Sequence, residues 1–211
     1  MEKQPVVIFG VNAVGKIAKE IFDHHGVVTY CFLDDAVDIH HTEVGDVSVL
    51  GSTDDDDLLS IVGKECGAFI AVDENTIRKT IAENLKETRK TVPVNAIHPR
   101  ANLAESAHFE YGNFIDAGAT LNSFAKIGNN NVIRANALID AEAKLGDFVQ
   151  VGAGSIVNTG VVIENDVFIG SGVIIVGGVK IGQGARVGAG SVVIADVKAG
   201  STVFGNPAAE V

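Results

Sequence analysis

From Ile97 onward the chain places a large apolar residue at every sixth position, through Leu103, Phe109 and Ile115 without a gap to Val187 and Val193. A helix needs a period near 3.6 and a flat strand a period of 2, so a period of six predicts short strands separated by bends that repeat. Four positions after each apolar residue comes a small or short one, such as Ala119, Ala125, Ala137, Ala143, Ser155 or Ser191. Asp, Asn or Gly commonly follows the apolar residue directly, as at Asp116, Asn122, Gly128 and Gly170. Large aliphatics would stack as interior ladders, small residues would fill the space beside them, and successive coils would stack at about 4.8 Å. Residues 95–211 are therefore expected to form a parallel β-helix.

Before Ile97 the pattern changes to alternating strands and helices. "PVVIFG" ends in a glycine turn and is followed by Ile17, Ile21 and Phe22 at helical spacing. "VVTYCFLDD" reads as a buried strand closed by two acids. A helix entered through Ser52 or Thr53, the strand "GAFIAV", the helix "ENTIRKTIAENLKE" and a last strand near "TVPVN" complete the series. Such alternation predicts a parallel sheet with crossover helices over residues 1–94.

The turn "GVNAVGK" sets Gly10, Gly15 and Lys16 at P-loop spacing, but Ile17 stands where that loop needs Ser or Thr for magnesium. A dinucleotide fingerprint fails at Asn12, which replaces the glycine that lets a pyrophosphate approach. A nicotinamide-binding oxidoreductase would rest on this turn alone. Two readings stay open: a plain strand-to-helix turn, or helix amides facing an anion while Asp34 or Asp35 accepts from a ribose or base. The second points to a nucleotide-linked ligand.

The 211 residues carry 46% hydrophobic content, enough for one large or two small cores, and a net charge of −11. Nucleic acid as partner is excluded by that charge, since phosphate backbones need clustered Lys and Arg. No run reaches the roughly 20 apolar residues of a membrane span, and the apolar run in "MEKQPVVIFG" is too short for a signal core, so neither segment is expected. Cys31 and Cys66 lack CxxC spacing, so reduced core thiols and a cytoplasmic location are expected. His24, His25, His40 and His41 lack ligand spacing, and no metal is expected.

The hexads "IGNNNV", "LGDFVQ", "VGAGSI", "IGSGVI" and "IGQGAR" resemble those of the hexapeptide-repeat acyltransferases, whose fold is a left-handed β-helix. With "VIFGVNAVGK", "FLDD", "VLGSTDDD", "NAIHPRA" and "VFGNPAAEV", the resemblance narrows to bacterial sugar acetyltransferases of the sialic acid O-acetyltransferase, bacillosamine N-acetyltransferase and perosamine N-acetyltransferase type. It implies a Rossmann-like nucleotide-sugar unit followed by the β-helix, acetyl-CoA as co-substrate, a sugar acceptor and a homotrimer. Carried over by position, it places the nucleotide sugar at Gly10, Asn12, Val14, Gly15, Asp34 and Asp35. It places the acyl donor near Thr159, Gly160, Ser171, Ala189, Gly190, Gly205 and Pro207. Lys180, Arg186 and Lys198 would meet the CoA phosphates, or are ordinary solvated surface.

Family members carry a histidine base between two acids in an I-E-H-E pattern; here the hexad reads Ile139, Asp140, Ala141, Glu142. A second histidine of the glycine turn corresponds to Val14 and a third to Gln150. A positioned base contributes about 10²–10⁴-fold to acyl transfer. Without it, transfer to an amine is favoured over transfer to a hydroxyl, with Asp140 or Glu142 as substitute base. The alternative is a catalytically inactive trimeric scaffold of the same fold.

Overall fold

A computed structural model describes residues 3–211, and the fold separates into two units between Ala96 and Ile97. The first is an α/β unit. Strand β1 (Val6–Phe9) is fully buried and lies between β2 (Thr29–Leu33) and β5 (Gly67–Ile70), parallel to both. Outside β2 lies β4 (Val47–Gly51), with the short antiparallel β3 (Glu43–Val44) at the edge, giving the order β3, β4, β2, β1, β5. Helix α1 (Ala13–His24) starts at Asn12, whose side chain accepts from the Gly15 amide, and buries Val14, Gly15, Ala18, Ile21 and Phe22. Helix α3 (Asn75–Thr88) follows β5 and buries Ile81 and Leu85.

Three details differ from the sequence reading. Helix α2 spans only Asp56–Leu59 and is capped by Asp55, which accepts from the amides of Asp57 and Leu58, rather than by Ser52 or Thr53. "TVPVN" forms no strand; the amide of Val94 donates to the Ala68 carbonyl, but Pro93 beside it has no amide to extend a ladder. Val14, expected at a ligand, is 1% exposed and packs in the core. Cys31 is buried as well, which pushes its thiol up to about 12.

The second unit is the left-handed β-helix of hexapeptide repeats. Two-residue strands run from β6 (Ala96–Ile97) to β22 (Val192–Val193), each paired in parallel with the strand one coil, 18 residues, away. They form three faces. The first includes Phe114–Ile115, Val132–Ile133, Gln150–Val151, Phe168–Ile169 and Arg186–Val187. The second includes Thr120–Leu121, Leu138–Ile139, Ile156–Val157, Ile174–Ile175 and Val192–Val193. The third runs from His108–Phe109 through Lys126–Ile127, Lys144–Leu145 and Val162–Ile163 to Lys180–Ile181.

The sixth-position aliphatics point inward, and from Ile115 to Val193 all are buried with the small residues of the repeat. Inside the early coils, Asn131 donates its side-chain amide to the Asn113 carbonyl oxygen at 3.0 Å and accepts from the Val149 amide at 2.6 Å. Each of these buried polar groups thus finds a partner one coil away. Strand β23 (Thr202–Gly205) extends the first face, and β24 (Ala208–Glu210) folds back on it.

Candidate active site

Two places in the molecule gather the expected residues. The first is at the carboxyl ends of β1 and β2. Gly10 has φ +103 there, and a Cβ on Gly15 would stand 2.1 Å from the Gly10 carbonyl oxygen, so both turn positions require glycine. The Val11 amide donates to Asp34 at 2.8 Å, and the Asn12 side chain donates to the Ala71 carbonyl at 2.6 Å. Asp35 accepts from the amide and hydroxyl of Thr53 through one oxygen, each at 2.8 Å. These contacts frame a cavity of about 210 Å³ lined by Gly10, Asn12, Asp34, Asp35, Thr53, Val72, Asp73 and Ile77. A cavity of about 240 Å³ shares Asp35, Thr53 and Ile77 and adds an apolar lining of Phe9, Leu59, Ile81 and Leu85. Carboxylate acceptors beside an apolar recess at the strand ends suit a ribose and a base.

The second is the corner between the second and third faces of the β-helix, where Ser123, Ala141, Thr159 and Gly177 stack on successive coils. Asp140 accepts from the Thr159 hydroxyl at 2.5 Å and from the Asn122 side chain at 2.9 Å. Those two groups and the Ala141 amide hold its carboxyl below the usual value of 3.8, the Thr159 hydroxyl contributing most. Its basicity is therefore reduced below that of an ordinary aspartate. Glu142 is exposed at φ +61, and among the described residues its carboxylate accepts no hydrogen bond. Thr159 and Asn122 escaped the sequence reading as partners of Asp140, although their offsets of 19 and 18 residues are close to one coil.

The residues expected at the acyl donor fall on two corners. Thr159 and Gly160 lie between the second and third faces, whereas Ser171, Ala189 and Gly190 lie between the first and second. The amides of Gly160 and Gly190 are taken by the carbonyls of Ala141 and Ser171, at 3.0 and 2.9 Å. Among the described residues those of Ser171 and Ala189 donate to no acceptor. Glycine keeps them open: a Cβ on Gly152 would stand 2.4 Å from the Ser171 nitrogen, and one on Gly170 would stand 2.5 Å from the Ala189 nitrogen. Beside them is a recess of about 200 Å³ with Arg134, Gln150, Phe168 and Ser171. Bare backbone with open amides fits the amide-rich arm of CoA. Gly205 and Pro207 lie in the β23–β24 turn, where the Gly205 amide donates to the Ser191 hydroxyl at 3.1 Å.

Two of the expected cations, Lys180 and Arg186, lie on different faces. Lys180 is on the third face, bound to Glu164 at 2.6 Å, while Arg186 is on the first, its guanidinium 4.6 Å from the Phe168 ring centre. Gln150 is likewise on the first face, away from the Ala141 corner. No group of three or more His, Cys, Asp or Glu is placed to hold a metal among the described residues, and no helix there is long and apolar enough to cross a membrane.

Residues 5–85 match the model of the PglD N-terminal domain, and residues 160–195 match that of the bacterial transferase hexapeptide (six repeats). No curated protein matches by sequence. Among solved structures, PerB from Caulobacter crescentus, in complex with CoA and GDP-perosamine, superposes with a TM-score of 0.89 at 28% identity, covering 98% of this chain and 97% of that one. A histidine-to-alanine mutant of GDP-perosamine N-acetyltransferase from Caulobacter crescentus, in complex with the same two ligands, gives 0.90 at 29% identity, covering 98% and 96%. The acetyltransferase domain of PglB from Neisseria gonorrhoeae, in complex with acetyl coenzyme A, gives 0.89 at 27%, covering 99% and 100%. By fold, by repeat and by its N-terminal unit, the chain is similar to the hexapeptide-repeat sugar acetyltransferases.

Proposed function

We propose that this protein transfers an acetyl group from acetyl-CoA to an amine of a nucleotide-linked sugar. The observation that carries this reading is the union, in one chain, of a carboxylate-framed cavity at Gly10, Asp34 and Asp35 with a β-helix whose glycine column leaves the Ser171 and Ala189 amides open. The first unit binds the nucleotide and the second binds CoA. The amine attacks the thioester carbonyl, a C–N bond forms, and collapse of the tetrahedral intermediate breaks the C–S bond and releases the CoA thiolate. The amine loses its proton after attack, so a base at Ala141 is less needed than for a hydroxyl. Glu142 and solvent take that proton. The relative solved with alanine in place of a histidine held CoA and GDP-perosamine together, which supports binding of both substrates without that imidazole.

The working form is a homotrimer in the cytoplasm. Donor residues on two corners of one chain become a single groove when a second copy supplies the other wall. Two free, buried cysteines accord with a reducing compartment. A second reading, an inactive scaffold that still binds these ligands, is favoured by one observation: the Ala141 corner holds a methyl group beside a carboxylate that already accepts from Thr159 and Asn122. Thiol release from acetyl-CoA in the presence of UDP- and GDP-linked amino sugars decides between them. Release dependent on the sugar is expected; binding of both ligands without release leaves the scaffold, and failure to bind CoA at millimolar concentration ends both.

A further inference from the structure

Past the end of β5, the chain that walls both cavities of the first unit is fastened by side chains as well as by the sheet. The ladder with β1 ends where the Ala71 amide donates to the Phe9 carbonyl at 2.7 Å. The carbonyls of Ala71 and Val72 are then taken by side chains of two different helices. Asn12, at the start of α1, donates its side-chain amide to the Ala71 carbonyl at 2.6 Å, and Arg78 of α3 donates its guanidinium to the Val72 carbonyl at 3.1 Å. The other arm of the Arg78 fork donates to the Asn75 side chain. Glu74, the cap residue of α3, makes no side-chain bond to the helix amides, so the fork ties this turn to the helix in its place.

Arg78 is 2% exposed and shares the buried face of α3 with Ile81 and Leu85. That spacing is an apolar stripe, and an aliphatic side chain at position 78 would complete it without desolvating a charge. A buried guanidinium recovers its desolvation cost only where its N–H groups find acceptors, and here they find the turn from Val72 to Asn75. Val72, Asp73 and Ile77 line the cavity of Gly10, Asp34 and Asp35, while Thr76, Ile77 and Thr80 line its apolar neighbour. Arg78 itself lines neither cavity, so it acts from behind their shared wall.

We propose that Arg78 is a positioning residue for the nucleotide: its fork on the Val72 carbonyl and the Asn75 side chain, together with the Asn12 bond to Ala71, sets the cavity wall before the nucleotide enters. This rests on the nucleotide-sugar reading and adds to it a residue that touches no ligand. A wall fixed in advance raises affinity because less has to be ordered on binding. The arrangement calls for donors held in one rigid plane, which arginine has and lysine lacks.

Titration calorimetry with UDP, GDP and CoA, thermal unfolding, and hydrogen exchange of the free protein test this on Arg78→Met and Arg78→Lys. Methionine fills the stripe but donates no hydrogen bond, and its variant is expected to unfold at a temperature at least as high as that of the lysine variant, which buries an ammonium. Affinity for the nucleoside diphosphate that the wild type binds better falls in the opposite order, by about tenfold or more in Arg78→Met and by less in Arg78→Lys, which keeps a point donor. CoA affinity stays within about twofold, and faster amide exchange is confined to residues 71–78. Affinity that follows stability across the two variants overturns the proposal, as does a failure of Arg78→Met to fold, which would make the fork a structural bond. A wild type that binds CoA but neither UDP nor GDP overturns the nucleotide reading together with the role of Arg78, whereas variants that bind like a competent wild type overturn the role of Arg78 alone.

Discussion

The hydroxyl of Thr159 donates to the carboxylate of Asp140 at 2.5 Å, across one coil of the β-helix. With the Ala141 amide and the Asn122 side chain, it keeps Asp140 ionised below the ordinary value of 3.8. A depressed native pKa gives a stabilising contribution that is complete above the unfolded value and is lost as pH falls through the native one. Thr159→Val, which removes the strongest donor, is therefore expected to be less stable than wild type at pH 7, with the gap closing as the pH drops below about 3.8. Urea unfolding at a series of pH values measures the gap, and carboxyl NMR titration of Asp140 in the variant should show its pKa moved upward. A gap that is constant from pH 7 to pH 3 would assign the loss to packing instead.

The Ala141 corner leads to a second prediction. Asp140 and Glu142 are held by the backbone of the coil, with the Ala141 carbonyl accepting from the Gly160 amide at 3.0 Å, so a larger side chain at position 141 leaves the corner's ladder in place. Ala141→His is expected to raise kcat/KM for acetyl transfer by about 10²-fold or more, within the range a positioned base contributes. The gain should appear in kcat rather than in the KM for acetyl-CoA, and should be larger for a hydroxyl acceptor than for an amine. Equal turnover by wild type and variant would show that proton removal at this corner does not limit the reaction.

In the first unit, the approach of helix α1 to β1 depends on Gly15. A methyl group there would meet the Gly10 carbonyl oxygen at 2.1 Å, and that oxygen belongs to backbone fixed between β1 and the helix cap. Gly15→Ala is expected to cost about 3 kcal/mol, the upper part of the range for overpacking. It should also weaken nucleotide sugar binding more than CoA binding, because the same turn carries Gly10 and Asn12 into the cavity. Thermal unfolding and paired titrations with the two ligands test both statements.

How much of the fold and site is legible in the sequence depends on whether a residue's role is local or set by the coil. The period of six fixes inward and outward sides along the chain, so periodicity alone assigns Ile115, Ile139 and Val157 to the core, where all three lie. The glycine turn is equally readable, since Gly10 and Gly15 meet within one turn. Relationships that depend on which of three faces a hexad occupies are not. Lys180 and Arg186 are six residues apart and look clustered, yet one hexad carries them to different faces. Thr159 and Ser171 are separated by two hexads and so reach different corners. Val14 departs from expectation for another reason: a resemblance transfers a position, and an apolar side chain on a buried helix face takes the core.

The outer side of the second face leads to the last prediction. Outward residues Leu138, Ile156, Ile174 and Val192 stack in register there, flanked by Val176 and Ile194. Ile174 is 39% exposed, Val176 43% and Ile194 58%, an apolar strip in a unit whose third face carries lysines. Such a strip favours burial against another copy, and it lies between the corner of Thr159 and the corner of Ser171. A neighbour packed along it would bring its own corner beside one of these and complete the donor groove. Wild type is expected to run in light scattering near three times its 21.9 kDa chain mass. An Ile174→Glu/Ile194→Glu variant should fall toward one chain mass, keep its β-helix circular dichroism and lose CoA affinity by about tenfold, while nucleotide binding at the first unit persists. A monomeric variant with unaltered CoA affinity would instead place the whole donor site within one chain, on the open amides of Ser171 and Ala189.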